Sequence, residues 1–310
     1  MILLQQMMIL FLIMIIGFIC RKKGILNDSG SKTLSAIVVN VANPALVLTA
    51  GINKDTSIQG KDLLITVGLA VGMFVAFIIF AELLVRIMKV KISARGAYKA
   101  MTVFSNIGFM GFPVISAVYG TEALLYASVF LIPYNVLIYT YGINAMSSSD
   151  KSGHADTQKG VQWAKIFNIG VIASIITIIL YFTGISLPYV LESTITTVSN
   201  LTAPLSMIVI GDAMANMKLK EMLTDKKLLV FSAVKLLFIP FVGISFLRLF
   251  GLSDMLMGVC LIMLSTPVGS MTAMLAQQYN GEYELASKGV ALTTLLSVAT
   301  MPFIAAVLGM

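Results

Sequence analysis

Charge is what this sequence has least of. Only 11% of its 310 residues are Asp, Glu, Lys or Arg, less than half the usual share of about 25% in globular domains. So few polar groups cannot cover a soluble fold of this length, which excludes a cytosolic enzyme, a nucleic-acid binder and a disordered chain. The two cysteines, Cys20 and Cys260, lie inside apolar runs and support neither a disulfide framework nor a four-ligand zinc site. The single histidine, His154, sits in the polar stretch 147–160, so no metal centre or histidine-based triad can be assembled. No Gly-x-x-x-x-Gly-Lys-Ser/Thr loop occurs, which excludes drive by ATP bound to this chain. Neither a cofactor nor a catalytic set is expected.

What is abundant is apolar: 58% hydrophobic residues, 20 Met and a mean hydropathy of +0.95. A helix needs about 20 apolar residues to cross the hydrocarbon core. Ten such stretches are predicted, over 2–20, 34–52, 63–87, 100–119, 123–146, 166–184, 194–216, 228–249, 255–279 and 287–308. The first lacks a basic leading region and a small-residue cleavage site, and is read as a span. Of the 21 Lys and Arg residues, 17 fall in the connections after spans 1, 3, 5, 7 and 9. Positive charge is retained in the cytoplasm, so those loops are placed there and both termini outside, in a multi-pass plasma-membrane protein.

The polar stretch 147–165 reads as a cytoplasmic linker between halves of five spans each, 1–146 and 166–310. With an odd number of spans, the second half enters the membrane inverted, the outline of an inverted repeat. Asn40-Val-Ala-Asn43-Pro44 in span 2 matches the Asn-x-x-x-Pro of Asn200 and Pro204 in span 7. Gly111-Phe-Pro113 in the middle of span 4 matches Pro267-Val-Gly269 in the middle of span 9. Proline removes a backbone donor and clashes with the preceding turn. One such proline commonly kinks a packed helix, but matched breaks in two halves point to a binding site. The freed N–H groups and positive dipole ends there suit an anion.

Polar residues inside the spans extend that candidate site. Span 4 reads Ser105-Asn106-Ile-Gly108, and Asn106 can donate to and accept from a carboxylate-bearing ligand. Asn40, Asn43, Asn200 and Ser265 fall in the corresponding helices, where interhelical hydrogen bonding is the plainer role. Glu82 and Arg86 are an i, i+4 pair, either an interfacial ion pair or a proton-coupling site. Asp212, late in span 7, either reaches cytoplasmic water or is functional, and Lys235, within about a third of span 8, either snorkels or is functional, since an ionisable group inside a span is a functional candidate by default. The small-residue face around Gly68 and Gly72 permits packing as a homodimer.

Three stretches together resemble the auxin efflux carrier family. They are Asn106 to Pro113 with Val118-Tyr119-Gly120; Pro267 to Gly269 with Ala276 to Asn280 and Glu284 to Ser287; and Ser199-Asn200 through Gly211. That family includes bacterial malate and malonate permeases and the plant PIN-FORMED auxin exporters. The resemblance implies an inverted-repeat fold like that of bile-acid-type sodium symporters, with spans 4 and 9 crossing at Pro113 and Pro267. It implies that Asn106 contacts the substrate carboxylate and that Glu82 and Arg86 occupy an acidic and a basic position of the plant branch. The stretch after Pro267 lacks the second proline of the plant exporters, and Asn40, Asn43 and Pro204 also differ from them, which favours a small carboxylate over an auxin-like acid. The expectation is an all-α, ten-span secondary transporter of a small organic anion working by alternating access. A coupling ion, proton or sodium, is left open. A sodium-coupled symporter of the same fold and a non-transporting membrane receptor remain as alternatives.

Overall fold

The computed structural model describes residues 2–52, 60–147, 167–215, 219–279 and 281–309. In chain order the helices are α1 (Ile2–Lys22), α2 (Asp28–Ile52), α3 (Gly60–Ile87), α4 (Ile92–Val103), α5 (Ile107–Tyr119) and α6 (Leu124–Ser147). There follow α7 (Ile169–Thr183), α8 (Tyr189–Ala215), α9 (Leu219–Thr224), α10 (Lys226–Phe250), α11 (Asp254–Ser265), α12 (Ser270–Gln278) and α13 (Tyr283–Val307). Among the described residues the one β pairing is an isolated antiparallel bridge, Ser105 with Val268. Six of these helices, α2, α3, α6, α8, α10 and α13, are long and apolar enough to cross a membrane. The linker expected over 147–165 lies, Ser147 apart, outside the described residues, as does His154.

Chain breakers explain much of the local structure. Pro44, Pro113 and Pro240 each follow a five-residue π-turn, Val38–Ala42, Ile107–Gly111 and Val234–Phe238. A proline ring collides with the carbonyl four residues earlier. That carbonyl belongs to Asn40, Phe109 or Leu236, in each case the middle residue of the π-turn. Widening the turn moves the carbonyl aside, and the residue before each proline bonds five residues back instead of four. The helix therefore continues through the proline. This corrects the break expected at Pro113: span 4 is interrupted earlier, at Phe104–Asn106, and Pro113 lies in the first turn of the regular α-helix that follows. In span 9 the interruption does fall at its proline, between Ser265 and Ser270.

Two close helix pairs flank these interrupted segments. α1 packs along the second half of α8, and α7 packs on α2. Glycine makes the first approach tight: a Cβ on Gly17 would lie 2.2 Å from Ile208 O, and one on Gly211 1.9 Å from Met14 O. α4 and α5 with α11 form the interior, and every residue of α11 from Leu256 to Ser265 is buried. α3 and α10 pack beside them, with Phe80 and Phe238 stacked at 6.0 Å. The outer face of α3 is apolar and open, with Leu64 at 75% and Ile79 at 65% exposure, as suits a surface against lipid.

Candidate functional site

The two interruptions are hydrogen bonded to each other. The Asn106 N–H donates to Pro267 O at 2.8 Å, and the Gly269 N–H donates to Phe104 O at 2.9 Å. Val268 N–H is taken by the Thr293 hydroxyl of α13 at 3.1 Å. The backbone donors of Asn106, Val268 and Gly269 are therefore used in holding the breaks together. The free N–H groups expected of a broken helix are not found at these three positions.

What is left without a partner is on side chains. Asn106 is 4% exposed, and its Nδ2 is buried with no hydrogen-bond partner. Its own carbonyl accepts from Met110 and Gly111, which starts the π-turn of α5. The Ser265 hydroxyl, at the last residue of α11, is likewise buried and unpartnered. From α2, Asn43 reaches α5, since a Cβ on Gly108 would lie 3.1 Å from Asn43 Nδ2, and Asn43 Oδ1 has no partner. Buried polar atoms in a folded protein normally have partners, and leaving one without costs about 1–3 kcal/mol. Asn43, Gly108, Asn106, Ser265, Pro267 and Gly269 thus fall around the paired breaks.

The remaining sequence-predicted residues stand elsewhere. Asn40 is exposed and donates to Ala36 O of its own helix at 3.0 Å. Asn200 is exposed at the turn that divides α8. Glu82 pairs with Lys99 of α4 at 2.7 Å, not with Arg86 one turn away, because α4 brings a lysine to it across the helix interface. Arg86 is exposed. Asp212 does not reach water: it is 3% exposed and faces Arg21 Nη1 at 3.7 Å, and Arg21 also bonds Asp28.

Lys235 is the largest departure. It is completely buried and cannot snorkel, because α10 directs it inward rather than along its own axis to the interface. Its Nζ donates to Thr102 O at 2.9 Å and to the Ser105 hydroxyl at 2.8 Å, and lies 5.1 Å from the centre of the Phe77 ring. Lys235 is nine residues into α10 from Lys226, about 14 Å along the axis at 1.5 Å per residue, roughly a third of the way through the helix. Among the described residues the buried charged side chains are Asp212 and Lys235, and only Asp212 faces a charge of opposite sign. The signal was present in the sequence as a lysine inside an apolar span, which is by default a functional residue. Only the fold shows that it points at the break in span 4.

Comparison with known proteins identifies the family. Residues 2–305 match the profile of the family described as membrane transport protein. A protein of Methanothermobacter thermautotrophicus, named an uncharacterized transporter, is 25% identical over 98% of this chain and 98% of its own length. Another from Methanocaldococcus jannaschii, also named an uncharacterized transporter, is 26% identical over 94% of each chain. With nearly its whole length inside one family profile, and apolar helices throughout, the chain belongs to the membrane transport protein family, that of the auxin efflux carriers, and is a multi-pass membrane transporter.

Proposed function

We propose that this transporter carries a small organic anion, a carboxylate such as malate or malonate, through a site at the paired breaks of spans 4 and 9. The observation that carries this reading is Lys235, a buried ammonium at the break with no carboxylate beside it among the described residues. A lone charge in a low-dielectric interior is costly unless an opposite charge arrives. An anion supplies that charge, the Asn106 amide a hydrogen bond to it, and Ser265 and Asn43 further polar contacts.

The wider architecture in this proposal is ten spans in two inverted halves, 1–146 and 166–310, with both termini outside the cytoplasm. Contacts support the symmetry. Exchanging the halves turns the α1–α8 pair (spans 1 and 7) into the α7–α2 pair (spans 6 and 2), and both pairs are in close contact. It likewise turns α3–α4 into α10–α11, and the break of span 4 into that of span 9. Alternating access then consists of the group around the breaks shifting against the α1, α2, α7 and α8 group. Asn40 and Asn200 belong to that second group and line the path when it opens, and Glu82 exchanges a proton with Lys99 nearby. A sodium-coupled cycle is the less favoured reading, since a second cation beside Lys235 is repelled by it.

Uptake of radiolabelled malate and malonate into proteoliposomes tests the proposal, with and without sodium. Binding is followed in parallel by thermal shift against a panel of mono- and dicarboxylates. Asn106→Ala is expected to lower both flux and the ligand-induced shift at least tenfold. Unchanged flux and binding in that variant removes Asn106 from the site, and no response to any carboxylate removes the substrate class.

A further inference from the structure

We propose that the corner where the α3–α4 connection meets the start of α10 is a binding site for the phosphate headgroup of an anionic phospholipid. Six cations lie on the two stretches of sequence that meet there: Arg86, Lys89, Lys91 and Arg95 on one, Lys226 and Lys227 on the other. The stretches are clasped, because Lys227 Nζ donates to Lys89 O at 3.1 Å. Lys89 adopts a left-handed backbone, φ 47°, which turns the chain back under the clasp. Beneath it a packed apolar cluster fixes the two stretches together: Val85 and Val90 meet Leu228 and Phe231, and the Tyr98 and Phe231 rings contact edge to face at 5.3 Å.

The charge is not balanced by the protein. All six side chains are exposed, and among the described residues none is in an ion pair. Asp225, at the start of α10, is occupied in capping that helix through the N–H groups of Lys227 and Leu228 at 3.0 and 3.1 Å. Three basic residues elsewhere are in ion pairs, Arg21 with Asp28 and Asp212, Lys99 with Glu82, and Lys288 with Glu284. Topology alone accounts for basic residues on one side of the membrane, but not for gathering six of them uncompensated against a rigid base. The same corner exposes Ile87 (66%), Ile92 (56%) and Val230 (54%). A cationic rim above exposed apolar side chains fits a molecule with a phosphate at one end and acyl chains at the other.

The test uses the purified full chain in neutral detergent, with melting temperature measured after adding phosphatidylglycerol, phosphatidylcholine or inorganic phosphate. Phosphatidylglycerol is expected to raise the melting temperature well above the effect of phosphatidylcholine, and phosphate alone to leave it unchanged. The triple variant Arg86→Gln, Lys91→Gln, Lys226→Gln leaves the Lys227–Lys89 clasp intact and is expected to lose most of the shift. A control triple, Lys22→Gln, Lys23→Gln, Lys32→Gln, removes equal charge elsewhere and is expected to keep it. Equal loss in both triples, an equal shift with phosphatidylcholine, or a shift reproduced by phosphate overturns the proposal. Photoactivatable phosphatidylglycerol on the unmodified protein gives a second readout that needs no variant. Adducts concentrated in 86–95 and 223–230 support the site, and adducts spread evenly over the apolar surface overturn it.

Discussion

A Cβ placed on Gly269 would lie 2.9 Å from the carbonyl oxygen of Ser105, with the Ser105 carbon at 3.2 Å and Phe104 O at 3.3 Å. All three are backbone atoms of the facing break, so nothing there can rotate away. The Gly269 backbone, φ −71° and ψ 138°, is open to any residue, and the constraint is space alone. Gly269→Ala is therefore expected to push the breaks apart and cost about 1–3 kcal/mol. Its melting temperature should fall by several degrees, whereas Gly68→Ala, with no atom within 4 Å of the new methyl, should leave it unchanged or higher.

The α1–α8 contact offers a second test by substitution. Gly17 and Gly211 each admit the other helix's backbone so closely that any side chain must separate the pair. Gly17→Ala and Gly211→Ala are each expected to lower the melting temperature sharply. Because both act on one interface, the double variant should cost less than the sum of the two. Strict additivity in thermal or denaturant unfolding would mean that the helices relax independently at the two points.

How far the sequence carried can be seen in particular residues. The helical character of the apolar runs was legible, six of them long enough to cross a membrane, because the need to satisfy backbone groups in lipid forces helix upon them. The break at Pro267 was legible because proline acts locally. The break in span 4 was misplaced at Pro113, because a π-turn carries the helix past that proline while pairing with span 9 opens the chain at Phe104–Asn106. Asn106 and Ser265 could be singled out as polar groups in apolar surroundings. The partner of Glu82 could not be, since spacing along one helix offered Arg86 and only packing brings Lys99. Lys235 shows the same limit: its depth is a matter of counting, but its direction depends on Thr102, Ser105 and Phe77, more than a hundred residues away in sequence.

Arg21 holds two acids of different character, and their removal should separate them. Asp28 is 81% exposed at its side chain, and Asp212 is 4% exposed. Asp28→Asn is expected to have a small effect on stability, as exposed pairs do. Arg21→Gln leaves Asp212 buried beside a neutral group and should lower the melting temperature much further. Adding Asp212→Asn to Arg21→Gln should then recover part of the loss. A double variant less stable than Arg21→Gln alone would show that Asp212 is held by contacts other than Arg21.

Lys235→Met separates stability from transport. Methionine has a similar length and no charge, and removing an uncompensated buried charge relieves its desolvation cost. The variant should therefore fold as well as the parent or better, and Thr102 O and the Ser105 hydroxyl lose only a donor. Carboxylate binding and flux, however, depend on the positive charge in the proposed cycle and should both fall at least tenfold. Lys235→Arg keeps the charge, but its larger planar head has to fit a site with no exposed surface, so it should lose stability and recover little flux. Measured together by thermal unfolding and proteoliposome uptake, a Lys235→Met protein that is stable and still transports carboxylate at the parent rate would show that the ammonium is not the counter-charge for the substrate.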